Sequence, residues 1–296
     1  MTSAPVFGSV LTAMATPFRA DGTVDLDGVT RVATHLVEHG HDAIVVSGTT
    51  GESPTTTVAE DGEILTAVLD AVGDRVKVLA GVGTNDTRTS IELAQQAAKL
   101  GADGLLLVTP YYSKPGQRGV LSHFRQVVDS VDLPFMLYDI PGRTGTKIAP
   151  ESFREIASWG RVPAVKDASG DVTQAVLLRE LGFTVYSGDD ALTLGFLAYG
   201  AVGVVSVLGH AAGSQIREMV DAFLAGDLAT AQQVNTRLQP ALAAVMGAPN
   251  YGATAAKAAL ELLGVLDNRR VRSPLVELDD DEVAVVRAGL EASGLL

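Results

Sequence analysis

Cysteine is absent from the 296 residues, which excludes disulfides, thiolate zinc sites and a cysteine nucleophile and fits a reducing compartment. Basic residues are scarce beside acidic ones: 22 Lys and Arg face 35 Asp and Glu, for a formal net charge of −13. A nucleic acid or an anionic membrane surface would repel such a chain, so neither is an expected partner. Although 47% of the residues are apolar, charged, Gly or Pro residues interrupt every run short of the about 18 residues that a membrane span needs. The stretch from Met1 to Phe7 has no basic segment leading into a long apolar one. No signal peptide is therefore expected, and the expected compartment is the cytoplasm.

What the chain does have is alternation. Short β-branched, apolar runs recur at Ser9 to Thr16, Ala43 to Ser47, Val76 to Val82, Gly104 to Thr109, Pro134 to Ile140, Val162 to Lys166, Thr184 to Ser187 and Gly203 to Leu208. Each is followed by sequence of helix length and helix punctuation. Val29, Val32, Ala33, Leu36 and Val37 repeat at helical spacing and stop at Gly40; Thr57-x-x-Glu60 reads as a capping box; Ile91 to Leu100 ends at Gly101. Strands that are continuously apolar and separated by helices belong in a parallel sheet buried on both faces. An eightfold count favours a closed TIM (β/α)8 barrel over an open doubly wound sheet, which would want a phosphate-binding glycine turn after the first strand. Thr16-Pro17-Phe18 is no such turn.

Past Gly209 the strand signals cease. A closing barrel helix is expected around Ile216 to Ala225, which makes 1–226 the barrel domain and 227–296 a small all-helical C-terminal domain. That second part is expected to break near Gly247-Ala248-Pro249-Asn250 and Arg272-Ser273-Pro274, with the acidic run Asp279 to Glu282 starting a last helix.

In such a barrel the chemistry forms at the C-terminal ends of the strands. Lys166 lies in an apolar run bounded by Pro163 and Gly170. Buried there, its amine would be desolvated, its pKa lowered and its neutral form nucleophilic; on an edge it would snorkel to water like any other lysine. Gly48-Thr49-Thr50-Gly51 can expose backbone N–H groups and two hydroxyls, which suits a small carboxylate. The run has no Walker lysine or phosphate-loop spacing, and it is also compatible with a plain turn. Tyr112 and Tyr138 stand at strand ends, either as packing or as proton carriers for imine formation. Arg143, after a Pro-Gly pair, is a planar fork for a second carboxylate or a solvated loop residue. Gly188, after the seventh strand, is a further substrate-binding candidate.

Four motifs run in one order over essentially the whole chain: Gly48-Thr49-Thr50-Gly51-Glu52-Ser53, Tyr111-Tyr112 after Thr-Pro, Tyr138-x-x-Pro141-x-Arg143-Thr144-Gly145, and Lys166-Asp167-Ala168-Ser169-Gly170. Together they look like the signatures of the pyruvate-dependent class I aldolase superfamily, and within it they most resemble the dihydrodipicolinate synthase family. The resemblance implies that Lys166 forms a Schiff base with pyruvate and that the enamine attacks L-aspartate 4-semialdehyde. It also implies a relay of Tyr138, Thr49 and Tyr112, a Thr49-Thr50 cradle for the pyruvate carboxylate, and the Val205 carbonyl at the pocket border. Arg143 would bind the second substrate. No metal or organic cofactor is implied, because the lysine supplies the electron sink, and the expected assembly is a homotetramer, a dimer of dimers, in which Tyr112 reaches into a neighbouring site.

Three features bear on finer detail. Thr49 and Arg143 favour the synthase over sialic-acid lyases, while Asp139 and Val205 stand where relatives often carry Asn and Ile. Another pyruvate aldolase, acting on a keto-sugar acid or 4-hydroxy-2-oxoglutarate, is the alternative enzyme, and a keto-acid sensor without turnover is the alternative from another class. Val58 and Thr89 occupy positions where lysine-inhibited members carry His and Glu, so weak or absent lysine feedback is expected. Finally, His35-Leu36-Val37-Glu38-His39 matches an inverted zinc-protease pattern, but its helix turns Glu38 outward on the outer ring, away from the mouth. His123 and His210 have no assigned part.

Overall fold

The computed structural model describes residues 5–249 and 252–296. Eight strands close into one barrel in chain order: β1 (Val10–Ala13), β2 (Ala43–Val46), β3 (Lys77–Gly81), β4 (Gly104–Val108), β5 (Phe135–Asp139), β6 (Ala164–Asp167), β7 (Thr184–Ser187) and β8 (Gly203–Ser206). Every pairing is parallel, and β8 returns to β1 through Val205 opposite Leu11. Around the sheet run α1 (Leu26–Glu38), α2 (Val58–Val72), α3 (Thr87–Leu100), α4 (Gln117–Val128), α5 (Pro141–Thr144), α6 (Pro150–Ala157), α7 (Gln174–Glu180), α8 (Thr193–Ala198) and α9 (Gly209–Leu224). Then come α10 (Leu228–Gly247), α11 (Ala253–Leu262) and α12 (Asp280–Ala292). The TIM barrel with a C-terminal helical region is thus the architecture observed.

The strands are buried on both faces because side chains alternate between two apolar compartments. Leu11, Ala13, Val45, Leu79, Leu106, Met136, Ala164 and Val205 fill the barrel interior. Ile44, Val46, Val78, Leu105, Leu107, Leu137, Val165 and Val185 pack outward against the helices. The Thr57–Glu60 capping box forms with both of its hydrogen bonds, and Asp279 with Glu282 builds a second one at the start of α12. A third apolar cluster joins α9 to α10, α11 and α12 through Ile216, Val220, Val234, Leu238, Ala258 and Val286. No helix of the described residues is long and apolar enough to cross a membrane.

Several boundaries differ from the expected ones for local reasons. The first strand loses Ser9 and the stretch from Met14 to Thr16 to loops, the last loses Val207 and Leu208, and β6 starts at Ala164 because Pro163 has no N–H to give the ladder. The closing helix α9 begins at Gly209 rather than near Ile216, with a kink at non-helical Ala212. Gly209 is needed there, since a Cβ would lie 2.3 Å from the Thr12 hydroxyl. Pro141-Gly142-Arg143-Thr144 is a single helical turn rather than a loop, ended by Gly145 in the left-handed region at φ 70°. The expected break after α10 falls at Gly247; Asn250 lies outside the described residues.

Candidate active site

At the top of the barrel, Tyr138 and Lys166 stand side by side in register on β5 and β6. Both point inward; the next residues, Asp139 and Asp167, point outward and accept hydrogen bonds from the same Gln174 amide at 3.2 and 2.9 Å. Burial raises both carboxyl pKa values, that of Asp139 to about 6. Lys166 is 4% exposed, and its Nζ lies 4.3 Å from the centre of the Tyr138 ring. Burial lowers the amine from 10.5 to about 8; the carboxylate of Asp190 opposes the shift and Arg143 adds to it. Among the described residues, Lys166 has no carboxylate within ion-pair distance, so at neutral pH a usable fraction of the amine is free base. Asp190 itself is spoken for, accepting from the Val207 and Leu208 amides at 2.8 and 3.0 Å and from the Ser206 hydroxyl.

Lys166 opens into a cavity of about 380 Å³ that also takes in Thr49, Thr50, Tyr138, Arg143 and Gly188. An adjoining cavity of about 370 Å³ contains Thr49, Tyr111, Tyr112, Tyr138 and Arg143. The structure therefore brings the other candidate residues together around these cavities; of Val205 the side chain sits in the barrel interior, and Val207, two residues on, lines the cavity. Gly188 has a second use. A Cβ there would lie 2.9 Å from the Ala168 Cβ and 3.0 Å from the Lys166 Cγ, so only glycine leaves the lysine its channel.

The Gly-Thr-Thr-Gly turn is bracketed by two non-glycine residues in the left-handed region, Ser47 at φ 51° and Glu52 at φ 58°. Such backbone persists only where its surroundings hold it. Glu52 N–H donates to the Thr49 carbonyl at 3.1 Å and closes the turn, leaving Thr50 buried and Thr49 exposed toward the cavity. Tyr112, also left-handed at φ 71°, is 88% exposed in the single chain. Arg143 is exposed on α5, whose Thr144 hydroxyl accepts a hydrogen bond from Thr109 at 3.1 Å, tying the turn to the end of β4.

The dihydrodipicolinate synthetase family model matches residues 6–293. The chain belongs to that family. It is 56% identical to the 4-hydroxy-tetrahydrodipicolinate synthase of Kineococcus radiotolerans, over 98% of this chain and 94% of that one. Identity to the synthase of Acidothermus cellulolyticus is 55%, over 97% and 93%. The crystal structure of the enzyme from Cyanidioschyzon merolae with lysine bound superposes with a TM-score of 0.94 at 41% identity, covering 99% of this chain and all of that one.

The histidines lie elsewhere in this family member. His35 Nε2 donates to the His210 carbonyl at 2.9 Å and His39 Nδ1 to the His35 carbonyl at 2.7 Å. His210 donates from Nδ1 to the Val207 carbonyl and accepts at Nε2 from the Ala15 amide, 2.8 and 3.0 Å, tying the ends of β8 and β1. His123 is on the buried face of α4, paired with the Thr87 hydroxyl at 2.9 Å. Sequence reasoning missed a different group. Met246, Gly252, Ala253, Pro274 and Leu275, all beyond the barrel, line the lysine cavity, and Glu52 pairs with Lys257 of α11. Lys257 did carry a signal, as the one charge among Ala253 to Leu260.

Proposed function

We propose that the protein is a 4-hydroxy-tetrahydrodipicolinate synthase that condenses pyruvate with L-aspartate 4-semialdehyde. One observation carries the reading: a buried amine, held near pKa 8 and without a carboxylate partner among the described residues, opens into a cavity beside a tyrosine. The free amine of Lys166 attacks C2 of pyruvate, and the carbinolamine loses water to give the imine. Loss of a C3 proton makes the enamine, whose carbon attacks the aldehyde of the second substrate. Each step moves a proton, and Tyr138, in register with Lys166, is the nearest group suited to carry it, with Thr49 and Tyr112 passing it toward solvent. The Thr49-Thr50 turn would hold the keto-acid carboxylate, with the Val205 carbonyl at the border and Gly188 leaving room. Arg143 lines the same cavity as Lys166, and its guanidinium is suited to the second carboxylate.

Further parts of the reading follow from the same residues. A division at 226/227 would assign α10 to α12 to a separate helical domain. The 88% exposure of the Tyr112 ring supports a homotetramer whose neighbouring copy covers it. A cytoplasmic location and weak or absent L-lysine feedback belong to the same proposal: Val58 offers no charge, and the Thr89 hydroxyl is engaged by Asp86 at 2.7 Å. The test is borohydride reduction in the presence of pyruvate followed by mass mapping. A stable pyruvate adduct on Lys166 is expected; no adduct, or one on another lysine, sinks the reading.

A further inference from the structure

Glu52 closes the carboxylate turn and forms part of the wall of the lysine cavity, but both of its carboxylate oxygens are engaged elsewhere. It is 2% exposed, and its two oxygens are taken by groups more than 200 positions away: Lys257 Nζ on Oε1, and the Arg272 backbone N–H on Oε2 at 2.8 Å. Lys257, fully buried, also donates to the Arg270 carbonyl at 2.7 Å. The Arg272 guanidinium reaches the Thr55 carbonyl at 2.8 Å and the Glu60 carboxylate at 2.5 Å, so it grips both the segment just after the turn and the capping-box glutamate of α2. Both cations lie over the Phe18 ring, Lys257 Nζ 4.2 Å and the Arg272 guanidinium carbon 4.4 Å from its centre.

A buried ion pair of this kind is a poor source of stability, since desolvating two charges offsets most of their attraction. What it does supply is geometry. Glu52 must hold φ 58° for the Ser53 N–H that follows it to meet the Gly48 carbonyl at 3.2 Å, and an unbraced non-glycine residue relaxes out of that region. Just ahead of the helix that carries Lys257, Gly252 brings the chain to Thr50: a Cβ built on it would sit 3.9 Å from the Thr50 hydroxyl.

We propose that Lys257 and Arg272 are positioning residues for the pyruvate carboxylate, bracing Glu52 so that the C-terminal helices set the shape of the Thr49-Thr50 turn. The inference rests on the synthase reading. The second substrate's arginine is carried by α5 and tied to β4, outside this brace, so damage to the brace should fall on pyruvate alone.

The experiment titrates pyruvate in borohydride trapping and in steady-state turnover for wild type, Lys257→Met and Arg272→Met. Half-saturating pyruvate should rise at least tenfold in Lys257→Met and at least threefold in Arg272→Met, with the KM for aspartate semialdehyde within twofold of wild type. Arg272 is one-fifth exposed, so its variant decides the matter if Lys257→Met does not fold. Unchanged pyruvate half-saturation, or equal rises for both substrates, overturns the positioning role. Absence of a wild-type adduct removes the synthase reading and this proposal together, whereas an adduct formed at unchanged pyruvate concentration removes this proposal alone.

Discussion

Replacing Lys166 with methionine should abolish turnover and, at the same time, make the fold more stable. The side chain is 4% exposed in the top layer of the barrel, and methionine matches its length without its charge. Burial lowers the amine from 10.5 to about 8. At about 1.4 kcal/mol per unit, that drop is a penalty of about 3 kcal/mol carried by the folded state at pH 7. Below pH 8 the amine is protonated in both states, and the whole penalty applies. Between 8 and 10.5 the unfolded chain binds a proton that the folded chain does not, so stability rises with pH; above 10.5 both are neutral and the penalty is gone. The Lys166→Met variant has none of it at any pH. The gap between variant and wild type should therefore be largest at pH 6 to 8, on the order of 2–3 kcal/mol in favour of the variant, and should close as pH approaches 10.5. Lys257 titrates over the same interval, but it is present in both proteins and cancels in the difference.

Urea unfolding of the two proteins at pH 6, 7, 8, 9 and 10 measures this directly, since a change in midpoint at constant slope reports stability alone. A variant less stable than wild type at pH 7 would refute the reasoning, because it would mean that the amine is stabilised where it sits. So would a gap that does not narrow with pH.

Two further substitutions separate the parts of the site. Gly188→Ala places a methyl about 3 Å from both Ala168 and Lys166, which should cost about 1–3 kcal/mol of stability and, by displacing the amine, about 100-fold in kcat; kcat within twofold of wild type would mean that the lysine has room to spare. Arg143→Ala removes charge-assisted hydrogen bonds worth about 1.5–3 kcal/mol, so the KM for aspartate semialdehyde should rise by about 10- to 150-fold while borohydride trapping of pyruvate is unchanged. A loss of trapping would place Arg143 at the wrong substrate.

The barrel was legible because a parallel strand buried on both faces reads as an unbroken apolar run, and eight such runs leave little choice of topology. The ends of the runs were not: Ser9 still accepts from the Val204 amide at 2.9 Å, but its own N–H goes to the Asp42 carboxylate at 2.7 Å, a partner that no local pattern marks. Pro141-Gly142 reads as a turn, yet proline at the first position starts α5, and the turn becomes helical once Thr144 is anchored by Thr109. Gly188 was singled out as a contact for substrate; its tightest observed constraint is the lysine strand beside it. No local pattern could pair Glu52 with Lys257, because the contact crosses 205 positions and exists only when α11 is laid over the barrel mouth.

The two lysines show where local reasoning stops. Lys166 and Lys257 both interrupt apolar runs, both are buried, and burial lowers both to about 8. By the argument that a lysine in an apolar run is a candidate nucleophile, each qualifies. Their surroundings divide them. Lys257 meets a carboxylate and a backbone carbonyl, so its protons are held in a closed network. Lys166 meets the face of a tyrosine and open volume, and the buried carboxylate whose charge acts on it, Asp190, is already occupied by two amides and a hydroxyl. A depressed pKa therefore marks burial in both, and nucleophilicity only in the one whose lone pair has somewhere to go.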